Sequence, residues 1–119
     1  MKVEPSAADL IEIARAAIVA DLVPALPDER RYAALMAANA LAIAARDLAA
    51  PADDGGETAS IAVLLGAEPA GSREGNARLA ARIREGAFDE GEPRAKLLAY
   101  LRAATAARLA VSNPRALKR

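Results

Sequence analysis

The chain has no cysteine and no histidine. Without thiols it can form neither disulfides nor thiolate metal sites. Without imidazole it lacks the commonest general base and the commonest metal ligand. Tryptophan is absent too, and the aromatics are two tyrosines and one phenylalanine. Strand signals are missing, because no segment alternates apolar and polar residues in a β-branched context. No apolar run approaches the 20 or so residues that a bilayer requires. The opening MKVEPSAADL contains no apolar stretch of the kind that directs secretion. These absences lead us to expect a cytoplasmic protein that does not act on membranes.

Alanine dominates what is present. It supplies 34 of the 64 hydrophobic positions among 119 residues, leaving 30 with large apolar side chains. The core is therefore thin, and stability must come from helix propensity and close helix approach. A thin core also makes a protein partner or a homo-oligomer an expected source of buried surface. The clearest helix is Tyr32 to Ala45, YAALMAANALAIAA, whose only strongly polar side chain is Asn39.

Punctuation divides the chain into five helical segments. Ser6 followed by Asp9 reads as a capping box opening helix 1, and Pro24 stops that helix near Leu22. Helix 1 should turn Leu10, Ile13, Ala14, Ala17 and Ile18 inward. Asp28 reads as the N-cap of a long second helix to about Ala49, before Pro51. A polar loop around Asp53, Asp54 and Glu57 precedes a short helix from about Thr58 to Leu65, ended by Gly66. Ser72 reads as the cap of a fourth helix that turns Leu79 and Ile83 inward and stops at Gly86. Pro93 sits where the first position of a last helix should be, and Asn113-Pro114 ends that helix. The expectation is an all-α fold, one domain over residues 1–119, with about five helices, three long and two short.

Formal net charge is zero, yet the halves differ. Residues 1–60 carry 10 acidic and 5 basic side chains, whereas residues 61–119 carry 6 and 11. A basic C-terminal tail suits nucleic acid, but only Tyr100 lies nearby to stack on a base, so no nucleic-acid partner is expected. Cations toward a helix C-terminus have the simpler explanation of dipole complementarity.

Helical wheels place four polar residues on apolar stripes. Asp21 falls among Leu10, Ala14 and Ala17; Asn39 and Arg46 fall beside Leu35 and Ile43; Arg108 falls between Leu97 and Leu101. These four predict a buried polar seam in which Asp21 pairs with Arg46 or Arg108. The same groups could instead line a pocket for a small anionic ligand. Other motifs lack the needed pattern. Gly71-Ser72-Arg73-Glu74-Gly75 has neither the lysine nor the spacing of a phosphate loop. Asp53, Asp54 and Glu57 do not follow the spacing of a calcium loop. Tyr32, Tyr100 and Lys96 show no neighbouring partner for proton transfer, so no catalytic residue, metal site or cofactor is assigned.

Four phrases recur in a recognisable order. They are Leu22-Val23-Pro24-Ala25-Leu26-Pro27, Ala37-Ala38-Asn39-Ala40-Leu41, Ala81-Arg82-Ile83-Arg84-Glu85-Gly86 and Leu109-Ala110-Val111-Ser112-Asn113-Pro114-Arg115. Across roughly Ser6 to Arg115 the chain resembles a bacterial family of small all-helical proteins of unknown function. Glu92 stands before Pro93 where that family's pattern suggests aspartate. The resemblance implies genes for an aminoglycoside-phosphotransferase-like kinase and an acyl-CoA dehydrogenase nearby, and it carries no catalytic residues over. Together these readings suggest a non-enzymatic accessory domain that binds a protein. The basic outer face of the last helix, with Arg94 and Arg102, is the expected partner surface.

Overall fold

The computed structural model describes residues 3–50 and 56–118. Five α-helices and no strand occur among them: α1 Ala7–Ala17, α2 Asp28–Ala49, α3 Gly56–Leu65, α4 Ser72–Arg84 and α5 Gly91–Ser112. The all-α expectation holds. Ser6 and Asp9 close the capping box at the start of α1. Residues Ile18–Leu22 continue as a wider π-type turn, and the tight turn Val23–Ala25 carries Pro24. Asp28 is the first residue of α2 and Pro27 occupies the cap, so Asp28 contributes charge to the first turn and no side-chain cap. Gly66 and Gly86 end α3 and α4 with φ of 71° and 87°, a region glycine enters without a Cβ clash. The acidic loop residues Asp53 and Asp54 lie outside the described residues.

The chain gathers into two compact units. The first is Met1–Pro51 with Leu109–Arg119, and the second is Ala52–Arg108.

In the second unit α3 packs on α4. Its core is Ile61, Leu65, Leu79, Phe88 and Leu97, with Leu64 and Tyr100 against it. Leu79 is buried as the pattern predicts, but Ile83 is 38% exposed. The fourth helix therefore buries a narrower stripe than its sequence offers.

In the first unit α1 packs on α2. Among its described residues only Ala38 and Ala45 are buried. No large side chain is buried among the described residues of this unit. On α1 the half-buried positions are Ala8, Ile11 and Arg15, and Ile18 is half-buried just beyond it, while Leu10, Ile13, Ala14 and Ala17 are exposed. Apart from Ile18, the stripe expected to face inward faces out. The reason lies in the alanines of α2. Ala34, Ala38 and Ala45 share one side of that helix, and small side chains permit the closest helix approach. Tyr32, Leu35 and Met36 lie off that alanine face and are left exposed.

Candidate functional site

The structure does not build the expected buried seam. Asp21 stands exposed in the π-type turn, and it has no ion-pair partner among the described residues. Asn39 is exposed on the outward side of α2. Arg46 is half-buried, and its Nε donates to the carbonyl oxygen of Val111 at 2.7 Å. Arg108 is exposed and pairs with Glu57, its NH2 group lying 2.9 Å from Oε1. The wheel for helix 1 assumes an α-helix through Asp21, whereas Asp21 lies beyond α1 in the π-type turn, which shifts its phase. On α2 the wheel could not say which of two apolar faces packs, and the alanine face did.

A different polar cluster forms within the second unit. Glu57 sits in the first turn of α3, Asn76 on α4, and Tyr100 and Arg108 on α5. Three donors converge on one carboxylate oxygen, Glu57 Oε1. They are Asn76 Nδ2 at 3.4 Å, the Tyr100 hydroxyl at 3.1 Å and Arg108 at 2.9 Å. The Tyr100 hydroxyl also lies 2.8 Å from Asn76 Oδ1. The expectation that Tyr100 has no partner is thus corrected: two other helices, α3 and α4, supply its partners, at separations of 43 and 24 residues. No local pattern in the sequence signals contacts so distant.

The chemistry of this cluster is cohesive. Burial raises the Tyr100 pKa above its ordinary value, and the adjacent Glu57 carboxylate adds to the shift. Tyr100 therefore stays a neutral donor, and Glu57 is occupied in holding α3, α4 and α5 together. Among the described residues no group of histidine, cysteine, aspartate or glutamate is placed to hold a metal ion.

Tyr100→Phe should lower stability by about 1 kcal/mol, since a partly buried hydrogen bond to a charged group is lost. The sign of the pH effect follows from the raised pKa. Above about pH 10 the unfolded chain releases the tyrosine proton before the folded chain does, so native stability falls as pH rises. Urea titrations from pH 8 to pH 11 check this, and the Phe variant should lose this tyrosine contribution.

Other expected surface features sit as follows. Glu74 and Arg78 form the i,i+4 pair across 3.6 Å. Lys96 pairs with Glu92 at 3.3 Å, so its ammonium has a structural neighbour rather than a reactive one. Arg94 and Arg102 are exposed on α5. The largest unassigned feature is apolar. Leu10 and Ile13 on α1 are 53% and 60% exposed, and Tyr32, Leu35 and Met36 on α2 are 73%, 45% and 46% exposed.

Residues 24–116 match the model of a family described as a domain of unknown function, DUF6285. No curated protein and no solved structure matches the chain. Among the described residues no helix is long and apolar enough to cross a membrane.

Proposed function

We propose that this chain, which belongs to the DUF6285 family, is a protein-binding accessory domain without catalytic chemistry of its own. One observation carries this reading: the α1–α2 hairpin fully buries only alanines among its described residues and leaves Leu10, Ile13, Tyr32, Leu35 and Met36 exposed. Clustered exposed apolar residues mark interaction surfaces, because monomers rarely leave a large contiguous patch uncovered. Tyrosine, methionine and leucine are also good contact chemistry, since Tyr and Met are enriched at interfaces.

The proposed partner is a phosphotransferase-like enzyme of acyl-CoA metabolism, encoded nearby as the family resemblance implies. Arg94 and Arg102 would meet acidic groups on that enzyme and speed encounter more than they add affinity. The rival reading, a binder of a small anionic ligand, relied on Arg46 and Arg108. Both guanidinium groups are engaged within the protein, which removes its support.

Co-expression with the enzyme should give a co-eluting complex. Reversing charge through Arg94→Glu and Arg102→Glu should slow association by roughly tenfold at low salt and leave dissociation nearly unchanged. Ile13→Asp should weaken the complex without unfolding the chain, because Ile13 is 60% exposed. Failure of the two proteins to co-elute under all these conditions would remove this partner.

A further inference from the structure

Steps of four, three and four residues from Asp28 give Asp28, Tyr32, Leu35 and Asn39. This is the spacing that keeps side chains on one seam of a helix that packs against another helix. All four are exposed. The next positions on the same line are Ala42 and Arg46, both half-buried, and Arg46 is tied to Val111 of its own chain. The open part of the seam is thus three turns long, about 17 Å at the usual rise per residue. It has an acid at one end, an amide at the other and two large apolar side chains between, with Met36 beside them.

We propose that a second copy of this chain covers that open seam, its α2 running antiparallel about a two-fold axis between Ala33 and Ala34. This deepens the proposed function and rests on it, since it assigns one of the outward apolar faces to self-association. Leu10 and Ile13 on α1 are left for an unlike protein. The antiparallel arrangement follows from charge and size. It sets Tyr32 against Leu35 of the partner subunit, and Asp28 against Asn39 of the partner subunit. The amide then donates to the carboxylate, and both contacts occur twice by symmetry. A parallel arrangement would instead set Asp28 against Asp28 of the partner subunit, placing like charges together.

Arg31 already holds one Asp28 oxygen at 2.9 Å within the same helix, and the carboxylate has further acceptor capacity. A formal net charge of zero leaves no overall repulsion between copies. Three large apolar side chains per copy fall short of the roughly 800 Å² per partner of a standard interface, so the dimer is weak.

Sedimentation of the full chain from about 1 μM to about 1 mM tests this, a range that spans weak association. The expected result is a monomer–dimer equilibrium whose Kd lies within that range. Leu35→Glu should raise Kd by at least about tenfold. The natural chain has no cysteine, so single-cysteine variants report register cleanly. A mixture of Asp28→Cys and Asn39→Cys chains should form a disulfide-linked dimer under mild oxidation, whereas neither variant alone should do so. A chain that stays monomeric to the top of the range overturns the proposal. So does like-with-like cross-linking of either variant, or a dimer that Leu35→Glu leaves unchanged. Any of these outcomes leaves the separate co-elution test intact, because these experiments contain no second protein.

Discussion

Ile61→Ala is expected to cost about 2–5 kcal/mol, the range for truncating a fully buried aliphatic side chain. Among the described residues Ile61 is the largest side chain that is completely buried, and it belongs to the core of the second unit with Leu65, Leu79, Phe88 and Leu97. Its removal deletes both transfer free energy and contacts that surrounding helices cannot fully restore. The same substitution at Ile13 should shift stability by less than about 0.5 kcal/mol, since surface changes rarely do more. Urea unfolding of the two variants separates the cases. Equal losses at both positions would mean that Ile13 is buried too.

Gly75→Ala should destabilise by about 1–3 kcal/mol despite alanine's better helix propensity, which favours it by about 1 kcal/mol. A Cβ at Gly75 would lie 2.8 Å from Ile61 Cγ2 and 3.1 Å from two carbons of the Pro69 ring. Neither neighbour yields easily, because Ile61 is enclosed by the core and the proline ring is stiff. Close approach of α4 to α3 therefore depends on the missing side chain. The added methyl and the Ile61 side chain compete for one space, so the double variant Gly75→Ala with Ile61→Ala should lose less than the sum. A double-mutant cycle measures that coupling directly. Additivity within about 0.5 kcal/mol would show that the two positions do not touch.

Much of the helical layout is readable from capping and punctuation. Ser6 with Asp9, Pro24, Gly66, Gly86 and Asn113-Pro114 act locally, through hydrogen bonds or backbone dihedrals a few residues away. Their positions match the observed helix ends closely. Which face packs is another matter. On α2, Tyr32, Leu35 and Ile43 make one apolar stripe and Ala34, Ala38 and Ala45 make another. Hydrophobic periodicity weights the first, whereas packing buries Ala38 and Ala45 of the second, leaves Ile43 half-buried and leaves Tyr32 and Leu35 exposed. Periodicity thus points Asn39 toward a core, yet it stands in solvent, as does Asp21 in the π-type turn after α1. The cluster at Glu57, Asn76, Tyr100 and Arg108 was hidden for a different reason. Its members come from three helices, and only the tertiary arrangement of the second unit brings them together.

The exposure of Tyr32, Leu35 and Met36 on α2 underlies both proposals. Thiol labelling tests it directly on a chain that has no natural cysteine. Single variants Tyr32→Cys, Leu35→Cys and Ala38→Cys would be exposed to a maleimide at nanomolar protein, where weak dimers dissociate. Cysteines at 32 and 35 should react at nearly the rate of an unfolded peptide, and a cysteine at 38 should be slowed at least about a hundredfold by the local opening it requires. Protection at 32 and 35 with rapid reaction at 38 would contradict the account, because α2 would then present its alanine face to water.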